Sequence, residues 1–162
     1  MPAGSDVAVS VDRVQTDAST ATTDTTDATQ SDLTTAAGDG SIVLQSTTGD
    51  ITLNDGTGDG MLGTLGDAVS ANGAGNVLVR AIAGSITTMT ESDVRSGTGD
   101  VTVLANVDVL LSATTDIVTA GLGTIDVEGT TGAVTMTDDA ATSATAQAAT
   151  GNVRIESGTD TT

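Results

Sequence analysis

Six residue types are missing from this chain of 162 residues: cysteine, histidine, lysine, phenylalanine, tyrosine and tryptophan. Proline occurs once, at Pro2. Without cysteine there is no disulfide framework and no thiol nucleophile. Without histidine the commonest general base is gone. Without aromatic rings a conventional globular core is short of large side chains. A narrow coil interior can still be filled by stacked Val, Ile and Leu, so the missing rings favour a solenoid over a compact enzyme fold. Positive charge is equally scarce. Arg13, Arg80, Arg95 and Arg154 stand against 22 acids, for a formal net charge of −18. That balance argues against nucleic acid and anionic membranes as partners, since both need basic patches. It is compatible with Ca²⁺, high salt or a cationic partner. No run approaches the ~20 apolar residues that span a bilayer, so no membrane insertion is expected. The opening Met1-Pro2-Ala3-Gly4-Ser5-Asp6 has neither the basic nor the apolar region of a signal peptide.

What the chain does have is a repeat. Five similar words are Gly49-Asp50-Ile51-Thr52-Leu53, Gly75-Asn76-Val77-Leu78-Val79, Gly99-Asp100-Val101-Thr102-Val103, Gly123-Thr124-Ile125-Asp126-Val127 and Gly151-Asn152-Val153-Arg154-Ile155. Their first apolar positions, 51, 77, 101, 125 and 153, step by 26, 24, 24 and 28 residues. A fixed period in the twenties marks a stack of supersecondary units, each burying its apolar face on its neighbours. Further words fall inside each period: Ile86 and Val94, then Val109 and Ile117, then Val134 and a degenerate stretch near Thr142 to Thr145. In the first period Met61-Leu62 and Ala68-Val69 take those places. Three strands per period predict an all-β fold: a right-handed parallel β-helix, or β-solenoid, of about 24–28 residues per coil. An antiparallel sandwich also spaces strands by about 8 to 12 residues, but it gives no three-word superperiod.

Alternation within each word assigns faces. Ile51, Leu53, Val77, Val79, Val101, Val103, Ile125, Val127, Val153 and Ile155 should point inward as ladders on one side of the coil. The intervening Thr52, Leu78, Thr102, Asp126 and Arg154 should point outward, and they form no threonine ladder of the kind that binds ice. Gly, Asp, Asn and Ser precede the words because a corner needs positive φ or a side chain that bonds nearby backbone. The acids agree: glutamate occurs only at 91, 128 and 156.

Four regions follow. The first region, residues 1–14, alternates cleanly over 6–14, with Val7, Val9 and Val11 on one face; it reads as an edge strand, either pairing with another subunit or forming the first strand of the same coil. Residues 15–40 are Thr/Asp-rich and low in complexity, a linker or irregular coil. Residues 41–156 hold the solenoid, although Thr137 to Thr150 fits a bulged side, a loop or a short helix. Residues 157–162 form a polar tail. A solenoid end exposes backbone and apolar interior, so either the protein continues beyond this segment or one subunit's end pairs with the next; on the second alternative Val153 and Ile155 join Val7, Val9 and Val11 as candidate assembly residues by strand addition.

One local motif suggests chemistry. Asp55-Gly56-Thr57-Gly58-Asp59-Gly60 resembles the opening of a calcium loop. Thr57 stands where Asp, Asn or Ser is usual, and Gly66 stands where the closing Glu belongs, with Asp67 next to it as a substitute. Asp55, Thr57, Asp59 and Asp67 are therefore candidate Ca²⁺ ligands; the alternative is a Gly-Asp turn insertion. A nine-residue calcium β-roll does not fit the period. No catalytic constellation is present, and the pair Asp138-Asp139, although acids can serve glycoside hydrolysis, reads as an ordinary loop. No enzyme activity is expected.

The words Gly-Ser-Ile-Thr (84–87), Gly-Thr-Gly-Asp-Val-Thr-Val (97–103), Gly-Asn-Val-Arg-Ile (151–155) and Thr-Thr-Gly-Asp-Ile-Thr-Leu (47–53) look like the repeats of filamentous-haemagglutinin-like adhesins and related large bacterial extracellular repeat proteins. The resemblance covers roughly residues 38–156. It implies a secreted or cell-surface bacterial or archaeal protein with a structural role in adhesion, a sheath or a matrix. Three functions follow as expectations: a filament subunit whose partner is itself, head to tail; a segment of an adhesin with a surface or carbohydrate ligand; and a Ca²⁺-binding matrix module.

Overall fold

The computed structural model describes residues 14–17, 20–23, 33–35, 37–54, 67–137 and 145–159. Strands β1 (Val14–Asp17) and β2 (Thr20–Thr23) pair antiparallel. All later strands pair in parallel. They follow in chain order as β3 (Leu33–Thr34), β4 (Ile42–Ser46), β5 (Ile51–Leu53), β6 (Asp67–Ala71), β7 (Val77–Ala81), β8 (Ile86–Thr88), β9 (Asp93–Ser96), β10 (Val101–Ala105), β11 (Val109–Leu111), β12 (Asp116–Thr119), β13 (Ile125–Gly129), β14 (Val134–Met136), β15 (Thr145–Ala148) and β16 (Val153–Ser157). The chain visits three sheets in rotation. Their orders are β16-β13-β10-β7-β4, β14-β11-β8-β5 and β15-β12-β9-β6-β3. This is a parallel β-solenoid with three strands per coil, and there is no helix among the described residues.

Alternation puts the expected residues inside. Val77, Val79, Val101, Val103, Ile125 and Val127 are all buried, joined from the second and third sides by Ile86, Val109, Val134, Val94 and Ile117. The β-branched shape suits the role, because stacked Val and Ile fill a narrow interior from pleated walls.

The first coil departs from the expected register. Ile51 and Leu53 are interior, but they belong to the second sheet, where Ile51 pairs with Ile86. The residue beneath Val77 is Ile42. The first-side ladder is therefore Ile42, Val77, Val101, Ile125 and Val153. The cause is an enlarged connection, residues 54–66, between β5 and β6. It lengthens the step from Ile42 to Val77 to 35 residues, against 24 from Val77 to Val101. Ile51 mimics the period because it lies 26 residues before Val77. The outward column changes likewise. Val43, not Thr52, stands beside Leu78, while Thr52 stands beside Thr87 on the second side. Met61 and Leu62 lie outside the described residues.

The solenoid also reaches further upstream than Ser41. Leu33 pairs with Val69 on the third side, within the segment read as a linker or irregular coil. The Thr/Ala-rich stretch 137–150 supplies β15, paired with β12.

Glycine governs one corner. Gly40, Gly75, Gly99, Gly123 and Gly151 stack there. A Cβ on Gly99 would lie 2.4 Å from the carbonyl oxygen of Gly75, and one on Gly75 would lie 2.2 Å from that of Gly40. Successive coils touch backbone to backbone, so no side chain fits. Interior hydroxyls complete the corner. Ser96 donates to the Gly75 carbonyl at 2.7 Å and accepts the Gly99 N–H at 2.8 Å. Thr119, one coil on, donates to the Gly99 carbonyl at 2.9 Å.

The Asp and Asn residues at corners act between coils, not within a turn. Asp39 accepts the N–H of Ala74, Asn76 that of Asp100, Asp100 that of Thr124, Asp50 that of Ser85 and Asp108 that of Ala133, each at 2.8–2.9 Å. The sequence preference for short acids is therefore a preference for caps that reach the next coil.

Candidate functional site

Two places gather chemistry. The first is the corner between the second and third sheets. Both enlarged connections of the solenoid emerge there: residues 54–66 between β5 and β6, and residues 137–144 between β14 and β15. In the coils between them the same corner is short. It is tied by a hydroxyl cluster in which Thr88 and Thr115 oxygens lie 2.7 Å apart, Ser112 and Thr115 oxygens 3.0 Å apart, and Ser112 donates to the Met89 carbonyl at 2.6 Å. Glu91, in this turn, has a φ of 60°, a left-handed conformation unusual for a side chain of its kind. Its N–H is held by Thr114 Oγ1 at 2.7 Å.

Just past this corner three acids stack at the start of the third-side strands. Asp67 is in register with Asp93, and Asp93 Oδ1 accepts the Asp116 N–H at 2.7 Å. Arg95 lies among them, its Nε 3.2 Å from Asp67 Oδ1 and 3.5 Å from Asp93 Oδ2. The Asp93 side chain is 5% exposed. Burial pushes its pKa up to about 6. The negative neighbours Asp116 and Asp67 add to the rise, while the Asp116 N–H and Arg95 oppose it.

Of the candidate calcium ligands, Asp67 is thus engaged with Arg95, while Asp55, Thr57 and Asp59 lie outside the described residues. Among the described residues no group of three or more carboxylates or other ligating side chains is arranged to hold a metal ion. Among them, too, no helix is long and apolar enough to cross a membrane.

The second place is the end of the stack. β16 is the outermost strand of the first sheet. In β13 beneath it, Ile125 is 1% exposed. Val153, in register with Ile125, is 43% exposed, and Ile155 is half-buried. At the opposite end Ile42 on β4 is 6% exposed and Leu53 on β5 is fully buried, while Leu44 on β4 and Leu33 on β3 are half-buried, as Ile155 is. On the outward face of the β16 end, Arg154 binds Asp126 through two hydrogen bonds of 2.7 Å and Glu128 at 2.9 Å. It also contacts Glu156. The bonds to Asp126 and Glu128 hold the guanidinium well above its ordinary pKa. Val7, Val9 and Val11 lie outside the described residues.

Sequence reasoning names Val153, Ile155 and Asp67 but misses Asp93, Arg95 and the carboxylates around Arg154. Those partners sit on different coils, so they meet only once the register is known. The Asp126–Arg154 contact has a signal, since both occupy the outward middle position of their words. No family model, curated protein or solved structure matches the chain.

Proposed function

We propose that this protein is a structural, non-enzymatic β-solenoid of the cell exterior that contributes to a filament, sheath or surface fibre by end-to-end β-strand association. The observation that carries the reading is the in-register parallel ladder Ile42, Val77, Val101, Ile125 and Val153, a pairing that a further strand can continue. The quasi-one-dimensional stack supports a mechanical role, because each coil contacts only its neighbours. The 22 acids oppose lateral clumping and make bundling depend on salt or divalent cations.

A second reading, an adhesin segment or a Ca²⁺-binding matrix module, draws support from the corner that carries both enlarged connections. Insertions gathered along one face of a repeat protein often form its binding surface. Electron microscopy of the purified chain separates the two readings. A structural subunit assembles alone into regular fibres or end-to-end particles. A ligand-binding segment stays monomeric until its ligand or Ca²⁺ is supplied.

A further inference from the structure

We propose that the second side of the solenoid is a lateral contact face for a second copy of this chain. The two copies meet face to face about a two-fold axis that runs along the strands, midway between β8 and β11. The proposal concerns the flank of the stack and does not depend on how its ends associate.

Charge singles out this side. Its strands read Ile51-Thr52-Leu53, Ile86-Thr87-Thr88, Val109-Leu110-Leu111 and Val134-Thr135-Met136, without one charged residue. The other two sides carry charge on their strands, such as Asp126 and Glu128 on the first and Asp67, Asp93 and Asp116 on the third. Two copies of a chain with net charge −18 repel each other at a distance. The second side is where contact adds no further repulsion. It also exposes apolar surface. Leu110, at the outward middle position of β11, is 44% exposed, and Met89, just past β8, is 47% exposed.

The register selects the axis. The four strands stand in the order β14-β11-β8-β5. A two-fold axis midway along this row lays β8 over β11 of the second copy and β5 over β14, so all four strands are covered. Rotation about the strand direction keeps each residue at its place along the strand. Leu110 then faces Thr87 of the second copy, the residue type that is its own neighbour in register. Met89 faces Ser112 of the second copy; within one chain Ser112 lies beside Met89 and donates to its carbonyl at 2.6 Å. Each large side chain thus meets a small one, as interdigitating sheets require.

The acids at the edge of this side fit the same axis. Asp50 and Asp108 stand just before β5 and β11, where they accept the N–H groups of Ser85 and Ala133 at 2.8 Å. About the midway axis Asp50 faces Ala133 of the second copy, and Asp108 faces Ser85. An axis through β8 would set Asp50 against Asp108, and one through β11 would set both Asp108 and Leu110 against themselves. The midway axis alone covers every strand without opposing like charges. Five residues by four strands make a face of about 16 by 19 Å. That is less than the ~800 Å² per partner of a stable complex. Single chains therefore pair weakly, and aligned stacks that present many such faces pair strongly.

The absence of cysteine allows a direct test. Thr52→Cys and Thr135→Cys are made as separate whole-chain variants, mixed, and treated with a short bis-maleimide. Linked dimer is read on a denaturing gel, and circular dichroism confirms each fold. Across the axis Thr52 faces Thr135 of the second copy, about 10 Å away between packed sheets. Two copies of Thr52, or of Thr135, are offset by a further three strand spacings, about 14 Å. We expect the mixture to link about tenfold faster than either variant alone, and faster still as salt screens the net charge. Leu110→Asp in both chains should bring the mixture down to the rate of the single variants. Self-linking of either variant at the rate of the mixture overturns the register. Linking no faster than that of Thr102→Cys, on the first side, reduces the contact to random collision and overturns the proposal. No linking at any concentration or salt overturns it too and leaves the face to a partner of other chemistry. Regular fibres without linked product overturn the lateral face and leave the end-to-end reading standing; linked pairs without fibres do the reverse.

Discussion

The carboxylate of Asp93 accepts the backbone N–H of Asp116 at 2.7 Å across two neighbouring coils. It does so from a buried position, beside Asp67 and Arg95. An acid whose pKa rises on folding, here from 3.8 to about 6, favours its neutral form in the folded chain. Below both values it is protonated in either state and carries no penalty. As pH rises from about 4 through 6 the folded chain must accept a buried charge, so stability falls over that window and stays lower above it. Asp93→Asn keeps an acceptor for Asp116 and removes the titration. The variant should be more stable than the parent at about pH 7, by about 1–3 kcal/mol, with the advantage vanishing near pH 4. Urea unfolding of both proteins at the two pH values checks this.

The glycine corner makes a second prediction. A Cβ at position 99 would lie 2.4 Å from the Gly75 carbonyl oxygen and 2.7 Å from that of Ala74. Neither is a flexible side-chain tip, so the coils must separate. Gly99→Ala should cost upwards of about 2 kcal/mol. Gly38→Ala, where no atom lies within 4 Å of the added carbon, should cost only the strain of its positive φ of 77°. Thermal melts of the two variants should rank in that order, and equal losses would show that coil contact is not the constraint at Gly99.

Interior stacking makes a third. Val101 is fully buried between Val77 and Ile125. Val101→Asp places a charge in this apolar column and should cost at least about 3 kcal/mol. Thr102→Asn, one residue along on the outward face, should be tolerated within about 0.5 kcal/mol. A reversed order in chemical denaturation would contradict the assigned faces.

Calcium makes the fourth. If Asp55 and Asp59 bind the ion with Asp67 beside them, Ca²⁺ should raise the melting temperature by mass action. Asp59→Ala should then abolish the rise. Identical melting in Ca²⁺ and in chelator would leave the segment as a turn insertion.

Much of the fold is legible in the sequence because period and alternation are local properties. Val101-Thr102-Val103 shows its inward and outward faces by itself, and repetition 24 residues later shows that such words stack. The first coil is not legible in this way, because a repeat is located by spacing. The connection 54–66 carries no spacing signal of its own, so Ile51 passes for a first-side residue. The sites are less legible. Asp67, Asp93 and Arg95 come together only through the third-side register, which includes a shift between Asp67 and Val69. The pKa of Asp93 arises from burial, and nothing in Ser92-Asp93-Val94-Arg95 distinguishes an inward acid from an outward one.

The corner caps have a further consequence. In each Asp or Asn cap from Asp39 to Asp108 the acceptor belongs to the earlier coil and the N–H to the later one. A coil that has just formed therefore already holds out the oxygens that its successor needs, whereas a later coil formed first would find its N–H groups unmatched. These caps favour the addition of coils from the amino-terminal side. Pulse-labelled amide exchange during refolding should accordingly protect Ser85 before Ala133, and Ala74 before Thr124.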